Sequence, residues 1–401
     1  MAKERTVTRP FEGIKIIDLT HVLAGPFAAY QLGVLGADVI KVENPEDCDQ
    51  SRHTGDNLEL NRNDMGTNYL AQNSNKRAIT LNLKTEKGRD ILRQLARDAD
   101  VLIENYRAGA FTALGIGYQD MKKINSRLIY CSMTAFGQDG PRGTQTAYDH
   151  AIQATSGIMA MTGTPEVNPL KTGAPVIDYS TGTMAAFAIA SALFQRERTG
   201  SGQHIDCSMF DVALMLEASH IAGFMSTGKC PKPKGNSHAY ASSYFYETKQ
   251  GHIMLAASNH RQHTRLFAAL GRPEMGHKDY EYRRKNFKSE AAELQKILME
   301  KTAQEWEDYF QANHVPALRV RSMSDALADP QVKTRKILHR HERAAGFEGP
   351  MTVPMCAFKY EHGGPSIETP PPRLGEHNAD VLASLGYSAA DIATLHEEGV
   401  V

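Results

Sequence analysis

The sequence has little of what several functional classes require. Its 401 residues carry 45 Lys and Arg against 46 Asp and Glu, a formal net charge of −1, so no field of one sign attracts nucleic acid or an anionic membrane. The five cysteines lie far apart and form no CxxC pair, which removes support for a zinc or redox site. We therefore expect a cytoplasmic protein with no metal, no nucleic-acid partner and no membrane partner.

Two further absences concern membranes and nucleotides. No uninterrupted apolar run approaches the roughly 20 residues that span a bilayer, and the first ten residues lack the apolar core of a secretory signal. The glycine fingerprint GxGxxG and the Walker motif are both missing, so the standard phosphate loops do not hold a nucleotide here. A nicotinamide dehydrogenase is disfavoured for the same reason.

What the first 200 residues do contain is an alternation of short apolar runs with helical patterns. The pattern predicts strands over residues 14–19, 37–43, 78–83, 101–104 and 128–132, and helices over 25–35 and about 85–98. Such alternation is typical of an α/β fold with a parallel, doubly wound sheet. Ligands bind such sheets at the carboxyl ends of the strands.

The composition changes near Lys229, where a run of Pro, Lys and small polar residues over 229–238 indicates a linker or a mobile loop. A smaller mixed segment follows, with a hairpin around 249–251 and a helix that begins at the capping box Thr302 to Glu305. We predict a large domain over 1–225, a small α+β domain with its linkers over 226–330, and a return segment with a C-terminal tail over 331–401.

One carboxylate attracts attention in the run Gly173-Ala-Pro-Val-Ile-Asp-Tyr-Ser-Thr-Gly182. A long apolar helical pattern follows Asp178, so we predict a strand-to-helix turn that presents this carboxylate beside backbone N–H groups. Local rules leave two roles open for Asp178, a helix N-cap and a catalytic acid, and caps are the commoner of the two.

Several motifs follow one another in a recognisable order along the chain. They occupy residues 13–26, 35–43, 75–84 and 104–109 in the first half and 196–203, 328–333 and 370–377 in the second. Each is weak alone, but together they resemble the class III CoA-transferase family, which includes formyl-CoA transferase, L-carnitine CoA-transferase and 2-methylacyl-CoA racemases. The resemblance runs from about Phe11 to the C-terminus.

This resemblance implies both architecture and activity. Family members are interlocked homodimers in which each chain forms a large Rossmann-like domain, crosses to a small domain and returns. The implied activity is CoA transfer from an acyl-CoA donor to a carboxylic acid, with coenzyme A as a substrate and no tightly bound cofactor.

The resemblance also assigns site residues. Asp178 falls on the catalytic aspartate of the family. Three segments fall on its CoA-lining loops: His21, Val22, Leu23 and Ala24; Leu81, Asn82, Leu83 and Lys84; and Asn105, Tyr106 and Arg107. Asn44 and Ala113 depart from the family, because formyl-CoA transferase has arginines there that hold the nucleotide end of CoA. Lys76, Arg77 and Arg107 are candidates to replace those arginines.

CoA transfer between two acids requires neither a redox change nor a metal. An aspartate with a reference pKa near 3.9 is ionised at pH 7, so Asp178 is expected to attack the thioester without a separate base. The implied intermediates are a mixed anhydride and an aspartyl-CoA thioester. The backbone N–H of Gly182 is a candidate donor to the oxyanion of each step.

Other activities stay open from the sequence alone. A racemase needs a histidine where this chain has Tyr148, followed by Asp149 and His150, and we expect His150 to point elsewhere. A catalytically idle protein that binds CoA thioesters is a further alternative. Asn259, Arg261 and His263 of the small domain are candidates to bind the acceptor acid, or else belong to a surface loop that begins a helix.

Overall fold

The computed structural model describes residues 9–343 and 349–401, which form two compact units. The first unit contains the chain up to Ile158, Lys171–Lys229, and the chain onward from Arg335. The second unit contains Met159–Leu170 and Cys230–Thr334. The second unit thus includes a segment, 159–170, that lies within the predicted large domain.

Within the described residues, the first unit is built on a parallel sheet of six strands, which confirms the predicted α/β fold. Their spatial order is β3-β2-β1-β4-β5-β6, the order of a Rossmann fold. The order reverses between β1 and β4, and the loops after these two strands border the crevice where such sheets bind ligands. The strands are β1 (Lys15–Leu19), β2 (Asp38–Glu43), β3 (Lys76–Thr80), β4 (Val101–Glu104), β5 (Ile129–Thr134) and β6 (His204–Ser208).

Alternate strand residues point to opposite faces of this sheet, and helices bury both faces. Ile16 packs in one core layer with Ala28 and Ile189, whereas Ile17 packs in the other with Leu92. The helices up to residue 227 are α1 (Ala24–Val34), α2 (Leu58–Arg62), α3 (Thr67–Leu70), α4 (Glu86–Asp98), α5 (Ala110–Ala113), α6 (Tyr118–Ile124), α7 (Asp149–Ser156), α8 (Ile158–Met161), α9 (Val176–Thr199), α10 (Met209–Leu216) and α11 (Ala218–Thr227).

Two details of this unit differ from the sequence prediction. The third strand ends at Thr80, so residues 81–83 continue as a loop rather than as strand. Asp178 lies inside the first turn of α9, because that helix begins at Val176 and not after a glycine-bearing turn. The apolar residues before Asp178 are therefore the beginning of the helix.

The helix α9 is long and apolar enough, by length and a hydropathy of 1.2, to cross a membrane. One such helix is weak evidence for a span, because a core helix passes the same test. Ile177, Ala185 and Ile189 of α9 are fully buried, and Arg196 near its end forms an ion pair of 2.7 Å with Asp100. These contacts are those of a helix packed on a sheet.

The second unit is a small α+β body with its own core, and the predicted hairpin around residue 250 is confirmed. Its antiparallel sheet has the order β7-β8-β9, and Trp306 and Phe310 pack against it. Thr302 and Glu305 form the predicted capping box. The elements are β7 (Phe245–Glu247), β8 (His252–Leu255), α12 (His260–Ala269), α13 (Tyr280–Lys285), α14 (Phe287–Leu298), α15 (Ala303–Ala312), β9 (Ala317–Arg319), α16 (Met323–Leu327) and α17 (Pro330–Arg335).

The chain then returns to the first unit through β10 (Leu338–His341), β11 (Met351–Pro354), α18 (Asn378–Ser384) and α19 (Ala389–Glu397). Its last residues lie beside the end of β3, where the Asn82 N–H donates to the Val400 carbonyl at 2.8 Å. Val381 and Leu395 complete the core layer that contains Ile17. The C-terminal tail is thus part of the sheet domain's core.

Candidate active site

A cavity of about 380 Å³ opens at the carboxyl ends of β1, β4 and β5, where the strand order reverses. Its volume lies within the usual range for small-molecule sites. It combines the predicted loops after β1 and β4 with the predicted catalytic residue. We call it the first cavity, and its lining residues are His21, Val22, Leu23, Ala24, Asn105, Tyr106, Arg107, Ala108, Met133, Thr134, Ala135, Gln145, Thr146, Ala147, Tyr148, Asp178, Thr181 and Met209.

The loops after β1 and β4 are tied together by paired hydrogen bonds. The side-chain amide of Asn105 accepts from the His21 N–H and donates to the His21 carbonyl, both at 2.9 Å. The His21 Nε2 lies 2.7 Å from the Tyr106 hydroxyl. Burial lowers the pKa of His21, so its imidazole is neutral at pH 7. The two loops therefore form one rigid edge of the cavity.

The middle residue of the β1 loop, Val22, has a strained backbone with φ of 70°. A β-branched residue rarely adopts this left-handed conformation, so surrounding contacts must hold it. The Val22 N–H donates to Asp49 at 3.0 Å, and the Gln72 side chain donates to the Val22 carbonyl at 2.7 Å. These bonds fix the part of the loop that faces Asp178.

The carboxylate that holds Val22 is itself held by a buried ion pair. Asp49 lies 3.0 Å from the Lys41 ammonium, and both side chains are fully buried. Burial alone would raise the pKa of Asp49, but Lys41 and the N–H groups of Val22 and Ser51 bring that pKa below its ordinary value. Asp49 therefore stays ionised in the functional pH range and keeps the loop in place.

Asp178 is not the cap of its own helix. The carboxylate of Asp149 accepts from the Ile177 N–H at 2.7 Å and from the Asp178 N–H at 3.1 Å. These are backbone donors of the first helical turn that a cap side chain satisfies. Because Asp149 performs this task from α7, the half-buried carboxylate of Asp178 is available to the cavity.

The surroundings also change the acidity of Asp178. Burial first, and the negative charge of Asp149 second, raise the pKa of Asp178 to about 7. The sequence-based premise of an aspartate with an ordinary pKa, largely ionised at pH 7, is therefore wrong. A raised pKa makes the carboxylate more basic and, when ionised, less stabilised by solvent, both of which suit a nucleophile.

A second cavity of about 380 Å³ meets the first at Asp178. Val22, Tyr148 and Asp178 line both cavities. The second cavity is further lined by Gln50, Asp149, His150, Lys171, Thr172, Gly173, Ala174 and Pro175. His150 lines this second cavity and not the first, so the expectation that it points away from the catalytic position stays a prediction.

Other predicted site residues do not reach the first cavity. Leu81 is buried in the core, and Asn82, Leu83 and Lys84 form the loop that contacts the C-terminal residues 399 and 400. They lie outside the lining of the first cavity.

Two of the three candidates to replace the missing arginines form ion pairs with other residues. Lys76 is fully buried and forms an ion pair with Asp18 at 2.9 Å, and Arg77 forms one with Asp38 at 2.7 Å. Arg107 is exposed and lines the first cavity. Among the three, Arg107 is the cation that can contact a phosphate there.

The predicted oxyanion donor, Gly182, lies in the interior of α9 and not in a turn. A Cβ on this residue would lie 2.5 Å from the Ala24 carbonyl oxygen. Gly182 thus permits the close approach of α1 and α9. Its backbone N–H belongs to the helix, so the proposed oxyanion role has no support from this geometry.

The three candidates of the second unit have structural environments of their own. Asn259 is the N-cap of α12 and forms a capping box with Gln262. His263 is fully buried beside Phe267, with its Nδ1 3.1 Å from the Ser242 hydroxyl. Arg261 and Asn259 are exposed, and Arg261 is the one cation of the three that is exposed. Asn259 and His263 therefore fit the reading of a loop that begins a helix.

Residues 11–378 match the sequence profile of CoA-transferase family III. The chain belongs to this family. It is 36% identical, over 98% of its length and 90% of the relative, to succinyl-CoA:glutarate CoA-transferase of Homo sapiens. It is 37% identical to acetyl-CoA:oxalate CoA-transferase of Acetobacter aceti, with 82% of this chain and 85% of the relative covered. Since these relatives span nearly all of its length, this family III member is a CoA-transferase that uses CoA thioesters as substrates.

The fold agrees with this assignment. A crystal structure of a CaiB/BaiF family protein from Brucella suis superposes with a TM-score of 0.82 at 34% identity, covering 95% of this chain and all of that one. The large parallel sheet and the small antiparallel sheet are thus those of an established family fold.

Sequence reasoning missed several residues of this family III site. Asp149 and Lys171 carry no motif of their own, and Asp149 simply follows the position that a racemase histidine occupies. Asp49 lies in a polar loop, and nothing in its neighbourhood signals a buried partner of Lys41. A general signal exists for the two aspartates, since aspartate favours the beginnings of helices and both lie in the first turn of a helix.

Proposed function

We propose that this enzyme moves CoA from an acyl-CoA to a carboxylic acid with Asp178 as the covalent nucleophile. The observation that carries the proposal is the position of Asp178 at the junction of two cavities, with its capping duty taken over by Asp149. A group that must meet a thioester, a thiolate and a free acid in turn needs access from more than one side.

The proposed chemistry has two halves. An oxygen of ionised Asp178 attacks the thioester carbonyl, the C–S bond breaks, and CoA leaves as the thiolate, which gives a mixed anhydride. The thiolate then attacks the aspartyl carbonyl and releases the donor acid, which leaves an aspartyl-CoA thioester. The acceptor carboxylate repeats these steps in reverse, so no proton, electron or metal is consumed.

The first cavity supports this role as the site for the thiol end of CoA. One edge of this cavity is formed by the loops after β1 and β4, which the contact between His21 and Tyr106 holds together. The exposed cation Arg107 also lines the cavity and suits a phosphate. Preorganised walls keep the reactive acyl intermediates near the thiolate and away from water.

Replacement of Asp178 tests the proposal. We expect Asp178→Asn and Asp178→Ala to lower CoA exchange by at least about 10³-fold, because the covalent step is lost, while CoA binding persists. The matched control is Asp211→Asn, since Asp211 is the third residue of α10 as Asp178 is of α9, and it lies outside both cavities. Wild-type turnover in Asp178→Ala would refute the assignment.

The covalent intermediates provide an independent test. Hydroxylamine added during turnover should convert activated Asp178 to a hydroxamate, which peptide mass spectrometry locates. The label should depend on acyl-CoA and be absent from Asp178→Ala. Labelling of another carboxylate, or none during active turnover, would contradict the anhydride pathway.

The names of the relatives indicate which acids should be tested first as substrates. Succinyl-CoA, glutarate and oxalate appear in the names of similar enzymes. We therefore propose short carboxylic acids as donors and acceptors here, and a panel that extends to carnitine-like and aromatic acids defines the range.

One observation favours a second candidate, exchange of the α-proton of a 2-methylacyl-CoA. His150 lines the second cavity together with Asp178, and a racemase uses an acid–base pair of this kind. Incubation of such a thioester in D2O distinguishes the two: deuterium at the α-carbon would support racemisation. We expect none, with CoA transfer to an added acid instead.

We further propose that the functional unit is a homodimer, as in the family that the sequence resembles. Large apolar side chains are exposed on consecutive helices of the first unit, among them Phe187 and Phe194 of α9, which are 65% and 63% exposed. Exposed apolar surface of this kind is typical of an interface with another protein.

A further inference from the structure

The two cavities meet at Asp178, so the CoA part and the acyl part of a thioester can lie on different sides of this residue. Val22, Tyr148 and Asp178 are the residues that line both cavities. If CoA approaches Asp178 through the first cavity, the acyl group on the other side of the thioester carbonyl extends into the second. In that arrangement the lining of the second cavity would contact the acyl group.

The lining of the second cavity combines apolar surface with polar groups, and the cation Lys171 lies at its wall. Lys171 is exposed and donates to the adjacent Thr172 carbonyl at 3.3 Å. It has no carboxylate within ion-pair distance among residues 9–343 and 349–401. The other charged or polar side chains of the lining are Gln50, Tyr148, His150, Thr172 and the two aspartates. Of these, Asp149 is buried and bonded to the start of α9.

The segment that carries Lys171 is fixed relative to Asp178 by a short chain of hydrogen bonds. The Thr172 N–H donates to the Gln153 side chain at 3.0 Å, and Gln153 in turn donates to Asp149 at 2.5 Å. The other oxygen of Asp149 binds the Asp178 N–H. The backbone next to Lys171 and the backbone at Asp178 are thus linked through the side chains of Gln153 and Asp149, while the lysine ammonium has, among the described residues, only the Thr172 carbonyl as a hydrogen-bond partner.

We propose that Lys171 binds the distal carboxylate of a short dicarboxylic acyl group in the second cavity, and so selects dicarboxylic over monocarboxylic acids. This inference rests on the proposed function of Asp178. A carboxylate is the group that an ammonium without an acidic partner recognises best in a cavity. The near carboxylate of the same acid reacts at Asp178, and the distal one is held at Lys171.

The test compares acids that differ only in the distal carboxylate. Glutarate against valerate, and succinate against butyrate, are offered as acceptors to wild type, Lys171→Met and Lys171→Arg with the same acyl-CoA donor. In a ping-pong reaction the kcat/KM of the acceptor reflects the half-reaction of that acid alone, so effects on the donor drop out. Lys288→Met, an exposed lysine of α14 outside both cavities, is the matched control.

We expect wild type to prefer each dicarboxylate, and Lys171→Met to lower the ratio of dicarboxylate to monocarboxylate kcat/KM by about 10- to 100-fold, the usual effect of losing a hydrogen bond to a charged group. Lys171→Arg should restore most of the ratio, and Lys288→Met should leave it unchanged. Circular dichroism confirms that each variant is folded.

Two outcomes would overturn the inference: a wild type without dicarboxylate preference, or an unchanged ratio in folded Lys171→Met. Failure of the underlying function is distinguishable, because then wild type transfers CoA to none of the acids and hydroxylamine labels no Asp178. An active, labelled wild type with an unchanged ratio in Lys171→Met refutes the role of Lys171 alone.

Discussion

At the scale of single residues, the chemistry depends on how two aspartates share the beginning of α9. Asp149 accepts from the N–H groups of Ile177 and Asp178, and its negative charge adds to burial in raising the pKa of Asp178. Asp149 therefore leaves the Asp178 carboxylate without a capping role and also makes that carboxylate more basic. The hydrogen bonds that place Asp149 there are 2.7 and 3.1 Å long.

This coupling predicts the pH dependence of the free enzyme. A carboxyl group with a pKa raised to about 7 is protonated and unreactive below that pH, so kcat/KM for acyl-CoA should rise with pH and level off above about 7. Asp149→Asn removes the nearby negative charge but keeps an oxygen acceptor, so the ascending limb should move to lower pH. The measurement is the pH profile of kcat/KM for both proteins.

Burial is the larger cause of the raised pKa, so the shift in Asp149→Asn should be partial. Asp139→Asn, an exposed aspartate outside both cavities, controls for a general loss of charge. A limb that stays in place in Asp149→Asn, or a wild-type limb near pH 4, would contradict this account.

At the scale of secondary-structure elements, the site depends on how closely α1 and α9 approach. α1 begins at Ala24, the last residue of the β1 loop, and α9 carries Asp178. Gly182 of α9 lies against the backbone of Ala24 and Ala28. The packing of the two helices thus sets the separation between the CoA loop and the nucleophile.

The contact between α1 and α9 predicts that one methyl group added at Gly182 lowers the stability of the protein. In Gly182→Ala the added Cβ would lie 2.5 Å from the Ala24 carbonyl oxygen, so the helices must move apart. We expect the free energy of unfolding to fall by about 1–3 kcal/mol, as in overpacked cores, and the KM for acyl-CoA to rise. Urea denaturation and steady-state kinetics measure the two effects.

Gly223→Ala is the matched control, because a Cβ on this glycine of α11 meets no atom within 4 Å. Alanine favours helix over glycine, so this variant should be unchanged or up to about 1 kcal/mol more stable. Equal stability of Gly182→Ala and wild type would show that the helices are not in tight contact.

At the scale of the whole molecule, the proposed homodimer explains an exposed apolar surface. Phe187 and Phe194 are seven residues apart on α9 and lie on the same face of that helix. Further apolar side chains are exposed on the next two helices, including Met215, Leu216, Phe224 and Met225. We infer that a second copy of the chain covers this surface.

Charges placed on this face should disrupt the dimer. We expect Phe187→Glu combined with Phe194→Glu to shift the species seen by size-exclusion chromatography with light scattering from two chains to one. Leu58→Glu, which replaces another exposed apolar residue on α2, should stay dimeric. A monomeric wild type, or a dimeric double variant, would contradict the proposal.

The fold could be predicted from the sequence because the patterns that indicate its strands and helices are local. The strands that pair through Ile16 and Val101 are apolar runs between polar segments, and the capping box at Thr302 is a four-residue pattern. β6 was missed, since His204–Ser208 alternates polar and apolar residues as an edge strand does. The family resemblance also came from short segments read in order.

The sequence predicted only part of the candidate site. The β1 and β4 loops that resemble the family do border one cavity with Asp178, whereas residues 81–84 lie outside its lining. Lys76 and Arg77 looked like free cations, but each has an acidic partner that lies 58 or 39 residues away in sequence. The tertiary fold brings such partners together, and a list of residue types does not contain that information.

By itself, then, the sequence determined the parallel sheet, the small second body, the CoA-transferase family and the candidacy of Asp178. Periodicity and short motifs encode these, because they depend on neighbours along the chain. Tertiary structure alone decided that Asp149 caps α9, that Asp178 has a raised pKa, and that a second cavity with Lys171 begins at Asp178. Burial, charge proximity and cavity shape depend on which distant segments meet, and folding settles that.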